Sequence, residues 1–530
     1  MSYRARLPTL VAGVGLAAVC AAVPLFAQSD CADLAGENFA NALVLETEVI
    51  SGSTQVNTAY GGSVVLNRPT CRVRGQITLS FDSDIRFEVR LPEPATWNGR
   101  YQGIGGGGNA GNMSLSSMRN ALDGGYAVSG QDNGHIGRSD DSRFAVGHPE
   151  KVIDFGWRSL HEVALASKAI IAAYYGRSPD MSLFNGCSTG GRQGLALAQR
   201  FPDDYDGIAA GAPANYWPEL NALHAEFGRF LVEHPDVWVS PEKMTMVQDA
   251  VHEACGAIDG IIDDPAACSF DLSTLACTGG AGDDCLTEGE ILGIEKRFAD
   301  FVDDDGTLIY PGFSHGLESN IGPNWMGVNP EDPFYSSRTW RYPDRFFADY
   351  VHAREDWSVR EFDWKTDLKA ARNGVIGIAV AAEDPDLSAF AKSGGKLLQW
   401  HGWQDMGIPA RNSIRYYEEV VAEMGADAVE PFYRLFMGTG VDHCGGGLGP
   451  NAIGSTFGLP APQRDAEHDV MEVLARWIEV GEAPEQIIAT RYGDDGSVVA
   501  QRPWCAYPKV ARWDGQGDRT KAESYNCSDQ

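Results

Sequence analysis

From Cys71 onward the stretch CRVRGQITLSFDSDIRFEVRLP alternates apolar and polar residues, the period of half-buried β-strands. The segment WNGRYQGIGGGGNAG that follows predicts a short strand running into a glycine run, Gly105 to Gly108. WRSLHEVALASKAIIAAYYG then carries apolar residues at helical spacing, and DMSLFNG after it reads as another short strand. A strand, the turn NGCSTGG, a helix over RQGLALAQRF and a strand over YDGIAAGAP make a βαβ rhythm.

Between about Ala214 and Leu387 that rhythm is lost. Asp-rich turns (IDGIIDD, DFVDDDG), four cysteines and aromatic stretches such as NPEDPFYSSRTWRYPDRFF take its place. At roughly 170 residues this is too long for a loop and predicts an inserted domain. The α/β pattern resumes at GGKLLQWHGWQD, continues through a helix over RNSIRYYEEVVAEMG and the strand FYRLFMG, and ends with a helix over AEHDVMEVLARWIEVG and an irregular tail. The expected division is a leader over 1–27, a first α/β part over 28–213, a lid over 214–387 and a second α/β part over 388–530.

The leader rests on MSYRARLPTLVAGVGLAAVCAAVPLFA: two arginines, an apolar run and small residues ending at Ala27, as in a secretory signal peptide cleaved near that residue. Cys20 follows Val19 rather than a small residue, which argues against a lipid-anchored cysteine. The expectation is a secreted or periplasmic protein. A formal net charge of −31 repels nucleic acid and anionic lipid, so neither nucleic acid nor membrane is an expected partner. Without Cys20 the cysteines are Cys31, Cys71, Cys187, Cys255, Cys268, Cys277, Cys285, Cys444, Cys505 and Cys527, an even set that points to disulfides in an exported chain. Sequence alone leaves about 945 ways to pair them. No CxxC pair and no Cys/His cluster has zinc spacing.

NGCSTGGRQG places Gly186, Ser188 and Gly190 as G-x-S-x-G at a strand–helix turn, the context of a nucleophile elbow. Such a serine needs a base and an orienting acid, which on this scaffold follow in the order serine, acid, histidine. Asp405 in HGWQDMGIP and His443 in VDHCGGG each stand just past a strand and in that order. Asp442, adjacent to His443, is the weaker candidate because neighbouring side chains point apart, and His161, His252 and His468 read as structural. The Thr189 N–H and one from Gly107 or Gly108 are the expected oxyanion donors. The glycine run is no P-loop, because no Lys-Ser/Thr follows it. Since Cys187 precedes Ser188 and Cys444 follows His443, bringing serine and histidine together predicts a Cys187–Cys444 disulfide, the alternative being two buried thiols.

At this point the chain resembles the tannase and feruloyl esterase family, which also includes mono(2-hydroxyethyl) terephthalate hydrolases. The resemblance is carried by WNGRYQGIGGGGNAG, GYAVSGQDNGH, NGCSTGGRQGL, DPDLSAFAKSGGKLLQWHGWQD, FYRLFMGTGVDHCGGG and RPWCAYP. It implies an α/β-hydrolase fold with a large inserted lid, the triad Ser188, Asp405 and His443, and Cys187 bridged to Cys444. It further implies the pairs Cys31–Cys71, Cys255–Cys268, Cys277–Cys285 and Cys505–Cys527. The implied activity is hydrolysis of feruloyl, galloyl or terephthalate monoesters, with a small aromatic ester as the partner. Trp325, Phe334, Tyr335 and Trp340 are candidate pocket walls that read more readily as lid core. A peptidase, a lipase or a non-catalytic binder on the same fold are the alternatives. Family members commonly hold a structural calcium in the lid, but here CGAIDGIIDDP is shortened and has Gly256 where an aspartate belongs, leaving Asp259 with too few oxygen ligands. No cofactor is required on this reading, and calcium in the lid is expected to be weakly bound or absent.

Overall fold

The structure is a computed structural model that describes residues 28–57, 63–337, 339–454 and 463–529, without the side chains of Phe334 and Tyr335. The leader expected over 1–27 lies outside the described residues. A ten-stranded sheet forms the centre. Its strands are β1 (Asn38–Phe39), β2 (Ala42–Ile50), β3 (Thr70–Ile77), β4 (Ile85–Pro92), β5 (Arg100–Ile104), β6 (Ala127–Gln131), β7 (Met181–Cys187), β8 (Gly207–Gly211), β9 (Lys396–Gly402) and β10 (Tyr433–Gly438). They lie in the order β1-β2-β3-β4-β6-β5-β7-β8-β9-β10. Pairing is antiparallel from β1 to β6 across β2, β3 and β4, and parallel from β6 onward.

The parallel half is the covered half. Every residue of β7 and β8 is buried, as expected for strands packed on both faces. The alternation seen from Cys71 holds in β3, but β4 is buried along nearly all its length. Its polar pair Glu88 and Arg90 is buried together at 2.5 Å. Helices α1 (Ser159–Tyr175) and α2 (Thr189–Arg200) supply much of that cover.

Between β8 and β9 the chain leaves the sheet after Gly211 and rejoins it at Lys396. This excursion contains helices α3 (Trp217–Glu233), α4 (Pro241–Ala254), α5 (Glu288–Phe298) and α6 (Trp364–Asn373). After β9 come α7 (Arg411–Met424) and α8 (Val470–Val480). The last helix starts later than the periodicity suggested, because the Asp469 carboxylate accepts the Met471 N–H at 2.9 Å and caps it there. The tail is more regular than expected: Gln486–Tyr492 pairs with Val498–Cys505, and Val510–Trp513 with Tyr525–Ser528. Burial along the first pair does not alternate residue by residue, so no period of two shows in the sequence, and Cys505–Cys527 ties the two ribbons together. The other disulfides are Cys31–Cys71, Cys187–Cys444, Cys255–Cys268 and Cys277–Cys285, the pairing that the resemblance implied.

Candidate active site

Strand register brings the site together. Cys187 pairs with Gly211, Gly211 with Trp400 and Trp400 with Phe436, so the carboxyl ends of β7 to β10 lie side by side. Ser188 follows β7 directly, Asp405 lies in the turn after β9, and His443 lies in the loop after β10. In parallel sheets this edge is where ligands bind.

Ser188 adopts φ 64° and ψ −123°, a backbone conformation that costs a non-glycine residue on the order of 1–3 kcal/mol. The turn is kept by what surrounds it. The Ser188 N–H donates to Gly211 O at 3.0 Å, and its carbonyl accepts from Arg192 N at 3.0 Å and Ala214 N at 3.1 Å. A side chain on Gly186 would collide with the Gly190 backbone, and one on Gly190 would come within 2.9 Å of Gly106 O. The two glycines of the motif are therefore required by close backbone approach.

Ser188, Thr189, Gly107, Gly108 and His443 border one cavity of about 570 Å³. In the glycine loop the Gly105 N–H is taken by Asn185 O and the Gly106 N–H by Gln193 Oε1, both at 2.9 Å. Gly107 and Gly108 remain as the loop's candidate donors beside Thr189, whose hydroxyl donates to Gly108 O at 2.9 Å. Asn133 braces the same loop, donating to Ala110 O at 2.9 Å while accepting from Gln193 Nε2 at 3.1 Å.

Asp405 is fully buried and saturated with donors. Its Oδ2 accepts from His443 Nδ1 at 2.6 Å and His401 Nε2 at 3.1 Å, and its Oδ1 from the N–H groups of Gly407 at 2.8 Å and Ile408 at 2.9 Å. Burial alone would raise this carboxyl, but the two imidazoles outweigh it and hold it well below the usual carboxylate range. Burial lowers the His443 imidazole and the charge of Asp405 more than reverses that, so it sits above its ordinary value. Asp442 turns away, accepting from Asn320 Nδ2 at 3.1 Å, and burial together with the Asp405 charge pushes it up to about 6. The Cys187–Cys444 disulfide, with Cα atoms 5.9 Å apart, ties the elbow to the histidine loop.

The remaining sequence candidates fall elsewhere. His161 pairs with Asp204 at 2.7 Å and stacks on Phe201, His468 pairs with Asp465 at 2.8 Å, and His252 lies in α4. Trp325 borders the cavity, whereas Trp340 is buried edge-on behind it at 5.3 Å. The short loop after Cys255 turns through Gly256, Asp259 and Gly260 at positive φ. Its acids face the tail: Asp263 contacts Arg502 at 2.5 Å and Arg519 at 3.3 Å, and Asp264 contacts Arg512 at 3.3 Å. Asp263 and Asp264 thus turn carboxylate oxygens toward guanidinium groups of the tail. Among the described residues no three His, Cys, Asp or Glu side chains gather as a metal site. Sequence reasoning missed His401, four residues before Asp405, and also Trp217, Met406 and His224, which border the cavity.

A family model described as tannase and feruloyl esterase matches residues 71–528. The chain belongs to that family. An uncharacterized esterase of Xanthomonas campestris pv. campestris is 36% identical over 544 residues, covering 95% of this chain and 92% of that one. Feruloyl esterase B of Aspergillus niger is 30% identical over 485 residues, with 89% of each chain covered. The crystal structure of feruloyl esterase B from Aspergillus oryzae superposes with a TM-score of 0.85 at 27% identity, covering 94% of this chain and all of the other. The fold is thus that of an α/β-hydrolase with a large excursion, and this tannase-family protein is a carboxylic ester hydrolase.

Proposed function

We propose that this esterase cleaves esters of flat, uncharged aromatic acids, of the feruloyl, other hydroxycinnamoyl or galloyl type, through a Ser188–His443–Asp405 triad and an acyl-enzyme. The observation that carries the reading is the placement of Ser188 and His443 on one cavity with Asp405 bound to the far nitrogen of that imidazole. His443 takes the Ser188 proton as the oxygen attacks the ester carbonyl, and the N–H groups of Thr189 and of Gly107 or Gly108 receive the oxyanion. The alcohol leaves with the proton from His443. Water, deprotonated by His443, then releases the acid and restores Ser188. Asp405 fixes the Nδ1–H tautomer and stabilises the imidazolium.

Substrate choice is supported by the wall. Trp217, Leu220, Trp325, Met406 and Ile408 provide apolar surface for a flat ring, and Asn112, Ser139 and Tyr342 provide polar groups for ring hydroxyls. The described lining contains no Lys, Arg, Asp or Glu. A terephthalate monoester would bring a carboxylate into this cavity with no cation to meet it, which favours neutral acyl groups. The arginine-bound acids after Cys255 support a lid held without calcium, and the five disulfides support an exported protein. Ser188→Ala should lower kcat on methyl ferulate and methyl gallate by about 10⁶-fold. Turnover retained by the folded variant would remove the triad, and faster hydrolysis of a terephthalate monoester than of its neutral methyl ester would remove the substrate reading.

A further inference from the structure

The turn Asp405-Met406-Gly407-Ile408 presents two successive peptide groups with the same arrangement. The Met406 carbonyl accepts from Trp325 Nε1 at 2.5 Å, and the N–H of that same peptide, on Gly407, donates to Asp405 Oδ1 at 2.8 Å. The Gly407 carbonyl accepts from His224 Nε2 at 2.9 Å, and its peptide N–H, on Ile408, donates to the same Oδ1 at 2.9 Å. Both outer donors come from the excursion between β8 and β9, and they stack on each other at 3.8 Å with 10° between ring planes.

Behind them stands Arg297 of α5. It is completely buried, and its Nη2 donates to His224 Nδ1 at 2.9 Å. Its Nε and Nη1 find no acceptor among the described residues. Phe227, Phe313 and Trp325 surround it, their ring centroids 4.9, 4.5 and 4.7 Å from the guanidinium carbon. An unpaired guanidinium buried among aromatic rings is a costly arrangement to keep for packing alone, since an apolar side chain of similar volume would fill the space. What the arginine supplies that an apolar group cannot is a fixed set of donors; burial drives the guanidinium well below its ordinary range, yet such a group keeps its protons in a protein. It can only donate, so His224 Nδ1 must accept and Nε2 must carry the proton given to Gly407 O. Burial and the neighbouring guanidinium drive the His224 imidazole well below its ordinary value, which keeps it neutral.

We infer that Arg297, His224 and Trp325 form a positioning relay through which the inserted segment sets the orientation and basicity of the Asp405 carboxylate. Each peptide is polarised at its oxygen by a lid donor, and so becomes a stronger donor at its nitrogen. The relay rests on the triad reading above, and it gives the excursion a part in catalysis beyond walling the cavity. No bond is made or broken along it. Its effect is to hold Oδ1 fully engaged so that Oδ2 faces His443, and to draw charge from the carboxylate that stabilises the imidazolium.

The experiment compares the full-length enzyme with Arg297→Met, Arg297→Lys and Trp325→Phe, measuring kcat and KM on a neutral aromatic ester from pH 4 to 9, with Ser188→Ala as control. Three groups bear on the pH limb: His443 faces Asp405 and Asp442, His401 shares Asp405, and His224 faces Arg297. Arg297→Met, which does not border the cavity, should lose about tenfold in kcat with KM within about twofold. Its acid limb should move up by about half a pH unit, because a more basic carboxylate and one fewer buried cation favour the imidazolium. Arg297→Lys should recover much of both effects. Trp325→Phe keeps the stacked ring but removes one donor, and should lower kcat and move the limb in the same direction. A packing role would lower melting temperature and kcat while leaving the acid limb in place. An unmoved limb with full kcat in Arg297→Met, or in Trp325→Phe should the first variant not fold, overturns the relay. Turnover retained in Ser188→Ala would instead overturn the triad on which it rests.

Discussion

Asp442 stands next to His443 in the chain yet bonds to Asn320 in the excursion, and it affects the imidazole only as a nearby anion. Asp442→Asn removes that anion, so the imidazolium loses a stabilising charge and the His443 pKa falls. A general base must be neutral to work, and the acid limb of kcat/KM should therefore shift to lower pH. This is opposite in sign to Arg297→Met, and the two profiles should bracket the unmodified enzyme; a limb that stays in place in Asp442→Asn would show that the charge is screened. That Ser188 and His443 would meet at one cavity with Asp405 bonded to the histidine was legible in the sequence, because each follows a recognisable strand and their order matches the scaffold. Arg297 and His224 were not. In EILGIEKRFAD an arginine near a helix end looks solvent-facing, and only the closure of Phe227, Phe313 and Trp325 around it makes it an interior charge.

Among the elements, β7 and the loop after β10 are held by more than the sheet. Cys187 is the last residue of β7, and Cys444, at φ 61°, belongs to the loop that carries His443. Replacing both cysteines by alanine frees that loop at the one covalent point near the histidine. A shift of about 1 Å between reacting groups costs on the order of 10²-fold in rate. The double variant should lose kcat on that order with a smaller change in KM, measured on the same ester as the single-site variants. Near-normal kcat would mean that the hydrogen bonds of Asp405 hold His443 unaided. This pairing was legible because the cysteines flank serine and histidine. The other four followed only from family resemblance, since nothing in their spacing selects a partner, and the tail ribbons escaped notice because burial along Gln486–Tyr492 and Val498–Cys505 does not alternate.

For the molecule as a whole, the join between excursion and tail decides stability in the region after Cys255. Arg502 is buried against Asp263 and lies 4.6 Å from the Tyr525 ring, so Arg502→Ala removes a charge-assisted bond and its packing. The expected loss is about 2 kcal/mol, seen as a lower denaturation midpoint, while chelation by EDTA should leave the midpoint unchanged. A midpoint that falls in EDTA would restore an ion to the loop. The α/β part of the architecture was legible from its alternating strand and helix periods. The interior of the excursion was not: its longest helix, α3, buries Glu219, Asn221 and His224 together with its apolar residues, so no clean polar face marks it, and long irregular stretches separate its helices.

The described cavity lining carries no Lys, Arg, Asp or Glu, although the chain as a whole has a net charge of −31. A neutral ester approaches this protein without being attracted or repelled by its field. The acid it yields ionises in water, and the same field then acts on it as a like charge. For the neutral esters proposed above, the field is indifferent to the substrate that enters and repels the acid that leaves. Dissolved salt, by shortening the reach of that field, lets the spent acid linger, so crowding of the cavity by product is a property of the medium as much as of the walls.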